Sequence, residues 1–133
     1  FLQLNCKFYD LKKLNIKTYS SLTLNNDSGY ATLSFHGNSR FDFVMLQDNK
    51  IAQLQLIFQF VDPMNKVEHF LILAKPARLL PEDRELNIKR ITVHNATSRL
   101  FSVDFILSIL KTLPDLSKED QYFIINDECD SNF

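Results

Sequence analysis

The stretch from Ile51 to Val61 alternates between two kinds of side chain. Ala52, Leu54, Leu56, Phe58 and Phe60 fall on one side of the alternation, and Gln53, Gln55 and Gln59 fall on the other. A helix would scatter the glutamines and leucines around its circumference, whereas a strand sends successive side chains to opposite faces. This period of two excludes a helix at the centre of the chain and makes the segment a half-buried strand. Before it, Phe41, Phe43 and Met45 alternate with Asp42 and Val44; after it, Val67 to Ala74 returns. Asp48-Asn49 and Asp62-Pro63-Met64-Asn65 supply the turns, with Pro where its fixed φ helps. Segments 40–47, 51–61 and 66–74 are therefore expected to form an antiparallel meander.

The same logic extends along the chain. Leu2, Leu4, Cys6 and Phe8 alternate with polar residues and read as a strand; Leu14, Ile16, Leu22 and Leu24 mark a second extended stretch. Asn25 to Gly29 is a turn cluster whose residues tolerate positive φ. Tyr30 to Phe35 reads as a strand, closed by a turn at His36-Gly37-Asn38-Ser39. Lys75-Pro76 is expected to end the return strand, because Pro has no N–H for a ladder. Residues 75–87 then form a loop, and Ile88 to His94 is strand-like. Ser102 is placed to cap a short helix ahead of Ile106, Ile109 and Leu110. Residues 115–121 make a charged surface loop, Tyr122 to Ile125 a last short strand, and the acidic end from Asn126 frays. The expected fold class is mostly β: a small antiparallel β-barrel or sandwich with one short helix near residues 102–110.

A chain of 133 residues suits one domain, with a hydrophobic fraction of 45%, too high for disorder. It opens on Phe1, with neither an initiating Met nor a signal-type leader, so residues 1–133 are expected to be a single β-rich domain cut from a longer protein. No apolar run approaches the roughly 20 residues that span a membrane. The two cysteines, Cys6 and Cys129, make no disulfide framework and read as reduced thiols of an intracellular protein. The sequons at Asn26 and Asn95 arise often by chance in a chain this rich in Asn and do not argue for a secreted, lectin-like or hydrolase domain.

No catalytic apparatus is expected. His36, His69 and His94 stand at no ligand spacing, and neither cysteine has a C-x-x-C partner, so no metal and no cofactor is expected. With Gly29 and Gly37 the only glycines, no phosphate-cradling loop exists. No serine sits in a G-x-S-x-G elbow. Charge is the more informative property. The net charge of -1 is a cancellation between a basic start and an acidic end. Lys7, Lys12, Lys13 and Lys17 face only Asp10 in the first seventeen residues, and Arg84, Lys89, Arg90 and Arg99 face only Glu85 in 84–99. If those two segments share a face, the resulting basic patch can meet phosphates or an acidic protein. The twelve phenylalanines fall mostly on inward strand faces, leaving Tyr9, Tyr19, Tyr30 and Tyr122 as the expected exposed rings.

From about Lys50 onward the order of features resembles a bromo-adjacent homology (BAH) domain. Ile51-Ala52-Gln53-Leu54 to Val61, the Asp62-Pro63 turn, and His69-Phe70-Leu71 to Lys75-Pro76 follow that family's strand, hairpin and return strand. Ser102-Val103-Asp104-Phe105-Ile106 and Gln121 to Asp127 are similar in position and type to its later segments. Arg40-Phe41-Asp42-Phe43-Val44 and Ala52-Gln53-Leu54 also look like stretches in the C-terminal β-domain of some transposon-encoded proteins. The likeness covers roughly residues 40–127. It departs from the BAH pattern where that family's return strand carries Trp or Tyr; this chain has Phe70 and aliphatic residues, which argues against a methyl-lysine cage. The resemblance implies a non-enzymatic protein-interaction module in a nuclear, chromatin-associated protein, with a histone or nucleosome as partner. The binding residues expected are Lys12, Lys13, Lys17, Lys75, Arg78, Lys89 and Arg90. The alternative is a nucleic-acid-binding β-domain of a mobile-element-derived protein, using the same cations.

Overall fold

The computed structural model describes residues 15–81 and 88–125. Eleven strands run through them: β1 (Asn15–Tyr19), β2 (Ser21–Leu24), β3 (Asp27–Phe35), β4 (Asn38–Phe41), β5 (Phe43–Leu46), β6 (Lys50–Val61), β7 (Glu68–Leu79), β8 (Arg90–Thr92), β9 (Arg99–Ser102), β10 (Ile106–Pro114) and β11 (Gln121–Ile125). The alternation expected over 2–8, both cysteines, Tyr9 and the acidic end lie outside the described residues.

Six of the strands close a ring of antiparallel neighbours, β5-β6-β7-β8-β11-β10 and back to β5. Its bore is filled by Phe43, Ile51, Ile91 and Val93, with Met45, Ala77, Leu110, Tyr122 and Ile124 packed against them. A barrel of so few strands has room only for its own side chains. Outside the ring, β2-β3-β4 make a separate three-stranded sheet. Ala31, Leu22, Leu24 and Phe41 from that sheet pack with Val44, Leu46, Ala52, Leu54, Ile72 and Ala74 on the outer face of β5, β6 and β7. The mostly β architecture expected from the sequence is thus present, as an antiparallel barrel with a small sheet laid on its flank.

The meander of 40–47, 51–61 and 66–74 is present, with three refinements. The first segment divides at Asp42, so that β4 joins the small sheet and β5 the barrel. The second carries a bulge: Leu54 pairs with Ala74 and Leu56 with Leu73, leaving Gln55 extra. One inserted residue sends every later side chain to the other face. Leu56, Phe58 and Phe60 therefore leave the face of Ala52 and Leu54, and Phe58 and Phe60 form a cluster of their own with Leu71 and Leu100. Gln53, expected to face solvent, points with Ile51 into the bore and is 8% exposed. There its amide donates to Phe41 O at 3.3 Å and the Tyr122 hydroxyl at 3.4 Å, while its Oε1 accepts from Gln55 Nε2 at 3.2 Å.

The third segment does not stop at Lys75-Pro76; β7 runs on to Leu79. Pro76 lies opposite Ala52 on β6. On the other edge of β7, β9 pairs with residues 71–74 and β8 with 78–79, so Pro76 sits where no strand asks for a ladder bond. The helix near 102–110 reduces to one 3-10 turn, Val103–Phe105, capped by Ser102 Oγ accepting from Asp104 N at 3.2 Å. Residues 106–114 are strand instead, because β10 is the neighbour that lets β5 and β11 close the ring. Tertiary pairing here overrides a local helix signal.

Turns use Asn and Asp where Gly is usual. Six of the eight non-Gly residues with positive φ among those described are Asn25, Asn26, Asp48, Asn49, Asn95 and Asp120. Asn25-Asn26, both at positive φ, make the two-residue loop between β2 and β3, and His36-Gly37 make the one between β3 and β4. The other glycine answers to space. A Cβ at Gly29 would lie 3.1 Å from Ile109 Cδ1 and 3.4 Å from Leu54 Cδ1, so β3 rests directly on the barrel wall there. Replacing Gly29 by Val is expected to destabilise the fold by about 1–3 kcal/mol through overpacking, and replacing it by Ala by less. Urea unfolding of the two variants checks this order; equal stability of Gly29→Val and the parent chain would refute the close approach.

Candidate functional site

Two of the clefts lined by the described residues bear on function. The first has a volume of ≈ 230 Å³ and lies between the small sheet and β10, lined by Asp27, Ser28, Arg40, Asp42, Lys111 and Thr112 among others. Its central group is the corner where the chain passes from β4 to β5. Asp42 N donates to Tyr30 O, and Asp42 O accepts from Leu54 N. Its carboxylate accepts from Tyr30 N at 2.9 Å and from Arg40 Nε at 3.1 Å. The Arg40 guanidinium lies over the rings of Tyr30, at 4.5 Å, and Phe35, at 4.6 Å. Arg40 is held by a carboxylate and two aromatic faces, so its guanidinium is engaged within the small sheet and at its exit corner. Nothing in its sequence spacing marked this role beyond the Arg-Phe-Asp-Phe-Val stretch already noted.

The second cleft is larger, ≈ 390 Å³. Ala52, Pro76, Ala77, Leu79 and Phe101 form its floor and wall. Lys50 and Arg99 stand at its rim, and none of its described lining residues is acidic. Antiparallel register explains the arrangement. Ala52 faces Pro76, and Ala74 faces Arg99, all on the outer side of the sheet. Ile51 faces Ala77 one step further on, so Lys50 and Arg78 are the next facing positions. Arg78 is not a lining residue of the cleft, but this register puts it next to Lys50. Lys50, Arg78 and Arg99 are exposed, and none has an ion-pair partner among the described residues.

The cations expected from the sequence to bind are dispersed. Lys12 and Lys13 lie outside the described residues. Lys17, exposed on β1, faces Gln59 on the side that Ile57 occupies. Lys75 faces Gln53 and so shares the bore side of the sheet, half-buried. Gln53 and Gln59 are six positions apart on β6, so Lys17 and Lys75 are separated by about 20 Å along the strand. Lys89 is exposed just ahead of β8, and its carbonyl accepts from Ile124 N. Arg90 is half-buried, 3.7 Å from the Asp115 carboxylate and 5.9 Å from the centre of the Phe123 ring. Of the seven, none lines the larger cleft, and Arg78 stands next to its rim residue Lys50 by register. Lys50, which the sequence does not single out, and Arg99, marked there only as part of the basic stretch 84–99, are brought to the cleft by strand register.

The rings also sort differently. Tyr122 lies inside the bore, packed against Phe43 at 4.8 Å between centroids. Tyr30 lies beneath Arg40, whereas Tyr19 is exposed as expected and donates its hydroxyl to Gln59 Oε1 at 2.9 Å. Among the described phenylalanines, Phe70 and Phe105 are the exposed ones, at 49% and 46%. Among the described residues no group of three or more His, Cys, Asp or Glu is placed to hold a metal ion, and no helix is long and apolar enough to cross a membrane. Comparison with protein-family models, curated proteins and solved structures finds no match to this chain.

The Asp115 carboxyl lies below its ordinary value of 3.8, chiefly because the Ser117 hydroxyl and then the Ser117 N–H donate to it, with Arg90 and Lys118 adding attraction. A carboxyl lowered in the folded chain stabilises it above the unfolded value, and that contribution disappears as pH falls through the lower folded value. The difference in Tm between the parent chain and Asp115→Asn is therefore expected to be largest above pH 3.8 and to shrink at more acidic pH. Thermal melts across pH 2 to 6 check this; a difference that grows on acidification would refute the assignment.

Proposed function

We propose that this chain is a non-enzymatic protein-interaction module of the BAH-like kind, working in a nuclear, chromatin-associated protein. The observation that supports this reading best is how the β sheet is occupied. The bore is filled by Phe43, Ile51, Ile91 and Tyr122, and the opposite face of β5 and β6 is covered by the small sheet. Recognition is left to the outer surface, where Lys17, Lys50, Arg78, Lys89 and Arg99 are exposed without ion-pair partners among the described residues. Fixed cations on a rigid β scaffold favour an acidic partner surface and set its orientation. With Tyr122 inside the bore and no Trp in the chain, a methyl-lysine cage is not part of the proposal.

The alternative is a nucleic-acid-binding β-domain. The same exposed cations support it, but Arg90 is engaged with Asp115, and Lys17 stands on a different part of the sheet from Arg78. Retention of reconstituted nucleosomes by the immobilised chain, above bead and free-DNA controls, is the expected result. Retention of free DNA to the same extent, with a steep loss on raising salt, would replace the protein-interaction reading with the nucleic-acid one.

A further inference from the structure

The larger cleft has a shape and a charge that specify an occupant more closely than surface recognition in general. Its floor is apolar: Ala52 and Pro76 facing one another across the β6–β7 ladder, with Phe101 beside them on β9. Two cations line its rim, Arg99 at one end and Lys50 at the other, and the register puts Arg78 next to Lys50. No acidic residue stands among the described lining residues to neutralise them. The cleft also coincides with an interruption in strand pairing. Along the outer edge of β7, β9 ends its pairing at Ala74 and β8 resumes it at Arg78. Lys75, Pro76 and Ala77 thus have no strand neighbour on that edge among the described residues. Residues 93–98, which link β8 to β9, bridge this gap, with Val93 and Ala96 packed in the same cluster as Ala77. The match therefore rests on the apolar trough and its two cationic ends, which suit an extended segment rather than a compact small molecule.

We propose that this cleft docks an extended acidic segment of a partner protein, which seats one apolar side chain on the Ala52–Pro76–Phe101 floor and sets carboxylates on either side of it against Arg99 and the Lys50–Arg78 pair. The proposal rests on the reading of the chain as a protein-interaction module and names the partner's chemistry at that surface. A nucleic acid fits the site less well. Its phosphates would be met by three cations only, and its bases by an aliphatic floor with a single ring.

The test uses the full chain and a short synthetic peptide carrying one Leu between runs of Glu, labelled for fluorescence anisotropy. Binding is expected, falling about fivefold between about 50 and 300 mM salt as screening takes hold. Replacing the peptide's Leu by Ala, or making the double variant Lys50→Glu and Arg99→Glu, is expected to weaken it about tenfold. Both positions are exposed, so the variant's amide spectrum should show an intact fold, and Leu79→Asp (62% exposed in the parent chain) offers a second variant that spoils the floor. Amide shifts on titration should centre on Ala52, Ala77 and Phe101. No binding, equal binding of a peptide with Lys in place of Glu, or binding unaffected by the charge-reversed variant would each overturn the proposal. Single-stranded oligonucleotide bound at the cleft in preference to the acidic peptide would overturn it in favour of phosphate recognition. The two readings fail separately. Peptide bound at the cleft with no nucleosome retained removes the chromatin assignment and leaves the cleft assignment standing. Nucleosome retention undiminished by the charge-reversed variant does the reverse.

Discussion

The β6–β7 hairpin belongs to two packing systems at once, and the bulge at Gln55 makes that compatible. On the barrel side of the bulge, Ile51 and Gln53 look into the bore while Ala52 and Leu54 meet the small sheet. Beyond it, β1 pairs with β6 and β9 with β7, so the hairpin continues as a four-stranded sheet outside the ring. A strand with a strict period of two could not serve both halves. The inserted residue exchanges the faces and sends Phe58 and Phe60 to a separate cluster with Leu71 and Leu100. Burial on both faces also explains why β5 and the first half of β6 show almost no exposed position.

Attachment of the small sheet to the barrel is the second constraint. The chain leaves β4 and enters β5 within one residue, and that residue, Asp42, is bonded through its backbone to Tyr30 and Leu54 and through its carboxylate to Tyr30 N and Arg40. A buried corner of this kind must satisfy its polar groups, and here a charged side chain satisfies an N–H of the neighbouring strand. At the other side of the contact, Gly29 permits β3 to reach the side chains of Ile109 and Leu54. The corner bond and the missing Cβ act together to hold the two sheets close enough to share one apolar layer.

The functional surface follows from this use of the sheet. A filled bore and a covered flank leave little interior for a ligand. The larger cleft includes Pro76 and Ala77 from the stretch of β7, residues 75–77, that neither β8 nor β9 pairs. Pro76 is compatible with that gap and incompatible with a continuous ladder through it. The three cations around the cleft come from β6, β7 and β9, far apart in the chain and adjacent only through register.

The chain alone established that this is a β protein, where its central meander runs, and that Asn and Asp would make the tight turns. Those properties are local: a period of two reports a strand, and a residue tolerant of positive φ reports a turn, whatever surrounds them. The sequence misplaced what depends on partners. By local pattern Pro76 marks a strand end, Ser102 the start of a short helix, Gln53 a solvent-facing position and Tyr122 an exposed ring. Each was decided by tertiary structure, through a gap between two neighbours, the closing of a ring, and a bore that accepts a polar group when another bonds to it. The candidate site belongs to the same category. Arg78 was legible as a cation in a polar stretch, but its grouping with Lys50 and Arg99 was not, because a shared face is a property of strand register and no spacing along the chain encodes it.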